Sequence, residues 1–264
     1  MLTHKKNRDI FVNLSQVRVI TPDAIALLVA VVKFLDHRYG LHVSGNYPHA
    51  PSATEVIRES GFNDYLKTSM PPSASTTRGA IVRQDLSIDS KRADGIFARK
   101  LIDFVAAGSP ERRLNLKGTY GHLLECMGNT HQHAGKIPGE TTWWASAFRD
   151  AARGCDCFTF IDMGIGIFNS VELSARLRVY NLTGLLRPRI LKELLEGKIP
   201  SSTGKSYRGR GLPSIYRSAA ANKLQRFVIL TNEVYADATR NDFRSLVTEL
   251  RGVVLYWEVS HERR

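Results

Sequence analysis

The chain has 264 residues, of which 43% are hydrophobic and 23% charged, an ordinary globular composition that predicts a packed core and argues against disorder. It starts with a polar stretch that lacks a secretory signal, and its most apolar run, 24–35, is too short to span a membrane. Its three cysteines, Cys126, Cys155 and Cys157, do not make a disulfide framework, so we expect a soluble, cytoplasmic protein. The net charge of +12 favours an anionic partner.

The first part of the chain carries four predicted elements in the order strand, helix, strand, helix. Their ranges are 10–13 and 41–44 for the strands, and 21–39 and 51–62 for the helices. A Thr-Pro-Asp start is typical of the first helix, and Gly61 is a natural terminator of the second. This order predicts a small α/β domain with a mostly parallel sheet over residues 1–67. The Ser-, Thr- and Pro-rich stretch 68–80 predicts a linker.

Residues 81–264 have a different order, with helices first and consecutive strands last. Helices are predicted at 91–107, 119–134 and 212–222, and strands at 143–149, 157–162, 226–232, 245–250 and 253–259. This order predicts an α+β sandwich in which helices cover one face of a mixed sheet.

The predicted helix 119–134 is amphipathic, with an apolar stripe that contains Leu123 and Met127. Its other side aligns three polar residues, Glu125, Asn129 and His133. This side is compatible with a solvated surface, with the wall of a nucleotide pocket, or with a zinc site. The zinc site would use His122, Cys126 and His133.

Two glycine motifs follow this helix. Asp162 ends a predicted strand and precedes Gly164 and Gly166, which let the backbone turn tightly and approach a ligand. Gly209 and Gly211 precede the predicted helix 212–222, and unpaired N–H groups at a helix start favour an anion. Together these motifs indicate nucleotide binding.

Three patterns in this order resemble the GHKL ATPase superfamily, which includes gyrase-type ATPases, Hsp90 chaperones, sensor histidine kinases and anti-sigma serine kinases. They are E-x-x-x-N-x-x-x-H-A at 125–134, D-x-G-x-G-I at 162–167 and G-x-G-L at 209–212. The resemblance covers about residues 81–264 and implies a Bergerat-type fold that binds Mg²⁺–ATP, with the adenine pocket between the helices and the mixed sheet.

The resemblance implies a role for each matching residue. Glu125 matches the general base, Asn129 the residue that holds Mg²⁺ on the ATP phosphates, and Asp162 the carboxylate that accepts a hydrogen bond from the adenine amino group. The resemblance places His133 at the border of the pocket. The turn beneath the base is formed by Gly164, Gly166 and Ile167. The phosphate loop is formed by Lys205, Arg208, Gly209, Arg210, Gly211 and Leu212.

Two further features of the GHKL superfamily are a mobile lid and a late-strand adenine contact. Residues 168–208 match a mobile lid over the nucleotide. Gyrase-like members place a threonine after a glycine in a late strand to complete the adenine contacts, whereas here Gly252 is followed by Val253. Thr231 is an alternative source of that contact.

Residues 12–28 and 43–62 resemble, more loosely, a truncated STAS-like domain of the anti-sigma antagonist type. Asp23 occupies the position of the phosphorylatable serine, so we expect this domain to dock partners rather than to accept phosphate. A plain packing domain is the alternative.

The basic surplus is concentrated in residues 170–226, which contain twelve basic and three acidic residues. We expect an ATP-binding regulatory protein in which slow hydrolysis drives lid closure and partner switching. The partner would dock on the N-terminal domain or on this basic segment. The alternatives are an anti-sigma type serine/threonine kinase, and an ATP-independent module that binds nucleic acid or protein. A homodimer is a further expectation from the resemblance, and a membrane partner is not expected.

Overall fold

The computed structural model describes residues 9–65, 83–84, 93–133, 143–170, 187–199 and 211–261. Side chains are described for all of these except residues 64, 83–84 and 131–133. The predicted linker 68–80 lies outside the described residues. None of the helices in this part of the chain is long and apolar enough to cross a membrane.

The N-terminal unit contains two parallel strands and three helices. In chain order they are β1 (Ile10–Val12), α1 (Pro22–Tyr39), β2 (Val43–Gly45), α2 (Pro51–Glu59) and α3 (Phe62–Tyr65). Helix α1 starts at the predicted proline and ends at Gly40, whose left-handed φ of 62° terminates it. The parallel pairing of β1 and β2, with Ile10 opposite Val43, confirms the predicted parallel strands.

The rest of the chain forms helices and a five-stranded sheet. In chain order the elements are β3 (Arg83–Gln84), α4 (Gly95–Ala106), α5 (Pro110–Asn115), α6 (Lys117–His133), β4 (Trp143–Asp150), β5 (Cys155–Asp162), α7 (Ile167–Ser170), α8 (Arg187–Leu195), α9 (Gly211–Ala220), β6 (Arg226–Asp237) and β7 (Asp242–Ser260). The strand order is β3-β4-β5-β7-β6. Helices and a separate sheet confirm the α+β class.

The prediction of a mixed sheet is wrong for the described strands, because all four pairings of the five-stranded sheet are antiparallel. Four residues connect β4 to β5, and four connect β6 to β7. Connections this short join antiparallel neighbours, whereas a parallel pair needs a crossover of a dozen residues or more. The sequence order of the strands did not reveal their direction.

The sheet is covered on both faces, not on one as predicted. Helices α4, α6, α8 and α9 cover the face that carries the larger core cluster. The largest of its buried strand side chains are Trp143, Phe158, Phe160, Phe227 and Trp257. Helix α1 covers the opposite face. There Ile25, Ala26, Val29 and Ala30 pack with strand residues that include Trp144, Cys157, Ile161 and Val254. Both faces need cover because β5 is apolar on each side and buried from Cys155 to Ile161.

Strand β7 runs through Gly252, where two separate strands were predicted. Gly252 has a φ of +94°, and a Cβ placed there would collide with the carbonyl oxygen of Asp162. The glycine therefore lets β7 pass close to the end of β5 and does not end the strand. Its partner β6 also continues past its predicted end, through an irregularity at Asn232.

Candidate functional site

Helices α6 and α9 bring the first and third sequence motifs into contact. A Cβ placed on Gly211, the first residue of α9, would lie 2.7 Å from Nδ2 of Asn129 and 3.1 Å from Oε2 of Glu125. Gly211 is buried, Asn129 is half-buried and Glu125 is exposed. Only a glycine leaves these two polar side chains room against the start of α9. The side of α6 that carries them therefore faces another helix and is not simply a solvated surface.

Asp162 lies at the end of β5, a strand that contacts α6. Burial raises the pKa of the Cys126 thiol, and the negative charges of Glu125 and Asp162 raise it further. Asp162 is half-buried, and its Oδ1 accepts a 2.5 Å hydrogen bond from the backbone N–H of Gly164. The structure therefore brings the first and third motifs into direct contact and places the second at the end of a strand that packs next to α6.

The turn after Asp162 is held from below by β6. The N–H of Ile167 donates to the hydroxyl of Thr231 at 3.0 Å, and this hydroxyl donates to the carbonyl of Gly252 at 2.9 Å. Thr231 is fully buried. The prediction that Thr231 supplies an adenine contact is therefore wrong, since its hydroxyl stabilises the turn and is not open to a ligand.

Val253 is the residue that lies beside Asp162 in the sheet. Strand β7 lies between β5 and β6, and its Val253 pairs with Asp162 on one side and with Thr231 on the other. The position next to the candidate base-binding carboxylate is thus apolar. No hydroxyl is available at this position to add a second polar contact.

His122 faces α9 and does not face solvent. Its Nε2 lies 3.1 Å from Oγ of Ser218, and its ring packs edge-on against Trp257. Burial lowers the pKa of His122 to about 4. Within the described side chains, no group of three His, Cys, Asp or Glu residues is arranged to hold a metal ion. The side chain of the remaining zinc candidate, His133, lies outside those described.

Several predicted site residues are packing residues or lie outside the described residues. Ile167 is buried and Leu212 is half-buried, and both pack in the larger core cluster. His133 lies in the last turn of α6, without a described side chain. Four predicted phosphate-loop residues lie outside the described residues: Lys205, Arg208, Gly209 and Arg210.

The predicted lid contains a core helix. Ile190, Leu191 and Leu195 of α8 are buried in the larger core cluster. Arg187 pairs with Glu233 and lies 5.4 Å from the centre of the Phe168 ring. The prediction of a mobile lid is therefore wrong for α8, because its apolar side packs on the sheet.

Much of the described positive charge of the basic segment is neutralised within the chain. Four of its basic residues pair with carboxylates: Arg187 with Glu233, Arg189 with Glu193, Lys198 with Glu196, and Arg226 with Asp237. Arg217 and Lys223 are exposed. Of these four, only Arg187 and Arg226 pair with carboxylates outside the segment, so these two pairs alone reduce the positive surplus counted from the sequence.

Sequence reasoning missed Asn232, which lies directly beneath the turn. It is 1% exposed, its φ is 50°, and its amide contacts Gly166. An asparagine that interrupts a strand pattern is a known signal for a left-handed residue. That signal was present in the sequence, but nothing local showed which loop the side chain would meet.

No protein-family model matches the chain. Comparison with curated proteins finds no significant match. The basis for a functional proposal is therefore the site geometry together with the three sequence motifs.

Proposed function

We propose that this chain is a regulatory protein that binds Mg²⁺–ATP between α6, the turn after β5 and the start of α9. The observation that carries the proposal is the close approach of Gly211 to Glu125 and Asn129. It combines a carboxylate, an amide and the N-terminus of a ten-residue helix in one place. Such a helix start attracts phosphate, because its first N–H groups have no partner within the helix.

The residues at this contact fit a magnesium ion bound through phosphates. The amide oxygen of Asn129 is a hard oxygen ligand, the type that Mg²⁺ prefers. Gly211, which has no side chain, lets the Asn129 amide and the Glu125 carboxylate lie close to the start of α9. The ion would neutralise charge on the phosphates. Glu125 is exposed next to Asn129, where its carboxylate would accept a proton from an attacking water.

Asp162 is the proposed contact for the base. Its position at the end of β5, a strand that contacts α6, supports its assignment to the same proposed site. Because Val253 is its neighbour in the sheet, the proposed adenine recognition has an apolar wall where related ATPases use a hydroxyl. We expect modest affinity for this reason, since one hydrogen bond contributes about 1 kcal/mol.

The N-terminal unit is the proposed docking site for a protein partner. Its α1 packs in the same core cluster as Ile161 and Met163, the residues on either side of Asp162. A shift of the strand end on ATP binding would therefore reach α1 through direct contacts. This connection supports a partner-switching role.

Radiolabelled ATP distinguishes the alternatives. The wild type, Glu125→Ala and Asn129→Ala are incubated with Mg²⁺ and ATP, with Glu111→Ala of α5 as a matched exposed glutamate control. Loss of phosphate release in Glu125→Ala, with ATP binding retained, supports the proposal. Label transferred to an added partner protein supports the serine/threonine kinase alternative.

Failure of the wild type to bind ATP at all rejects both nucleotide-dependent functions. Salt-sensitive binding of DNA or RNA without ATP would then favour the nucleic-acid alternative. The internal ion pairs of the basic segment make that outcome the less expected one.

A further inference from the structure

The irregular part of the β6–β7 pair lies beneath the turn that follows Asp162. Asn232 pairs with Leu250, whereas Val234 pairs with Ser245. The single residue of β6 between these two pairs is thus opposed by four residues of β7, which form the bulge 246–249. Asn232 adopts a left-handed φ of 50° at this point, a conformation that asparagine tolerates better than most residues.

The amide of Asn232 fills the space under Gly166. A Cβ on Gly166 would lie 2.8 Å from Cγ and Nδ2 of Asn232 and closer still to Oδ1. Gly166 also has a φ of +81°. The turn therefore needs glycine here for two independent reasons, its backbone conformation and the asparagine below it.

The same amide group is hydrogen-bonded to the turn and to the bulge. Its Nδ2 donates to the carbonyl of Ile165 and to Oε1 of Glu249, both at 3.4 Å. Its Oδ1 lies 3.2 Å from the hydroxyl of Thr231. Asn232 is 1% exposed. It therefore holds the middle of the turn from inside the protein.

We propose that Asn232 is a positioning residue that holds the 163–167 turn and, through it, the Asp162 carboxylate in the conformation that binds the base. This inference rests on the proposed ATP-binding function. An asparagine is needed because both atoms that Nδ2 approaches, the Ile165 carbonyl and the Glu249 carboxylate, are acceptors. An aspartate of the same shape offers no donor and adds a negative charge beside Glu249.

The first test compares Asn232→Asp with Asn222→Asp. Asn222 also has a left-handed φ, of 55°, but it is exposed after α9. In the unliganded proteins, amide hydrogen exchange of residues 164–167 is measured against that of β4. We expect Asn232→Asp to accelerate exchange in the turn by about tenfold or more and to leave β4 unchanged, because the turn loses its buried donor. Asn222→Asp should change neither region.

The second measurement is the ATP dissociation constant of the same variants. We expect Asn232→Asp to weaken ATP binding by about tenfold and Asn222→Asp by less than about twofold. If hydrolysis is measured, KM for ATP should rise while kcat stays near the wild-type value. Adding Glu249→Gln to Asn232→Asp should recover part of the affinity, because glutamine donates to the new carboxylate. Unchanged hydrogen exchange in β4 separates this local effect from a general loss of stability.

Equal exchange in the turn of Asn232→Asp and Asn222→Asp overturns the positioning role. If Asn232→Asp fails to fold, Asn232→Gly keeps the left-handed backbone and removes the amide, and the same exchange comparison applies. If Asn232→Asp accelerates exchange in the turn but the wild type binds no ATP, the proposed function is rejected. Asn232 then remains the residue that holds the turn. The two failures are therefore distinguishable.

Discussion

His122 of α6 and Ser218 of α9 are joined by a 3.1 Å hydrogen bond between Nε2 and Oγ. The Ser218 hydroxyl donates to the carbonyl of Ser214 within its own helix, so Nε2 of His122 is the donor to Ser218. The other ring nitrogen, Nδ1, has no hydrogen-bond partner among the described residues. This neutral, buried pair holds together the two helices that carry Glu125, Asn129 and Gly211.

Acidification should destabilise the protein through His122. Burial lowers its pKa to about 4 in the folded state, whereas it is near 6.5 in the unfolded chain. The folded state thus binds a proton at His122 less tightly than the unfolded chain does. The contribution of this residue to the free energy of unfolding is therefore complete above pH 6.5 and is lost as the pH falls toward 4. We expect this residue to account for a loss of about 2 kcal/mol between pH 7 and pH 5.

Urea unfolding of the wild type and His122→Gln at these two pH values checks this effect. Glutamine retains a donor for Ser218 and does not titrate, so the variant should lose less stability on acidification. An identical pH dependence in both proteins would contradict the role assigned to His122.

Gly211→Ala should disrupt the ATP site. The added Cβ would lie 2.7 Å from the Asn129 amide nitrogen, so Asn129 and Glu125 would have to move. We expect the ATP dissociation constant to rise by about tenfold or more, since both polar contacts are displaced. Gly128→Ala is the matched control, because it adds a Cβ to α6 beside Asn129 with no atom within 4 Å. It should stabilise the helix by about 0.5–1 kcal/mol and leave binding unchanged. Equal binding by both variants would argue against the proposed site.

Val253→Thr should strengthen ATP binding. Val253 pairs with Asp162 in the sheet and is half-buried, so a hydroxyl at this position adds a polar group beside the proposed base contact. One added hydrogen bond of about 1 kcal/mol corresponds to roughly fivefold tighter binding. Val247→Thr, on the same strand at a fully exposed position, is the control. Calorimetric titration with ATP measures both, and unchanged affinity in Val253→Thr would place the base elsewhere.

Ile25→Ala should destabilise the N-terminal unit and the sheet together. Ile25 is fully buried where α1 covers the second face of the sheet. Removing three buried carbon atoms there costs about 2–4 kcal/mol. Val19→Ala, at a residue that is 82% exposed, should have little effect. Thermal unfolding followed by far-ultraviolet circular dichroism and by tryptophan fluorescence, to which Trp144 contributes, should show one shared transition. If unfolding instead shows two separate transitions and Ile25→Ala shifts only the first, the N-terminal unit and the rest of the chain fold independently.

Local sequence patterns predicted most of the longer helices and strands but not α5, α7 and α8. Helix α1 was predicted at 21–39 and is observed at Pro22–Tyr39, because a proline start, a glycine end and apolar periodicity are all local signals. The two parallel strands of the N-terminal unit were also predictable, since a helix separates them. The patterns around Glu125 and Gly211 likewise identified in advance two segments that approach one another.

Only the tertiary structure decided what each surface meets. His122 was grouped with the polar side of α6, but Ser218, 96 residues further along the chain, buries it. The roles of Thr231 and Asn232 depend on a turn more than 60 residues earlier in the chain. Burial of a polar group depends on which neighbours remove it from water, and a helical wheel or a strand pattern contains no information about neighbours distant in the sequence. For the same reason, the sequence did not show that α1 covers the second face of the sheet.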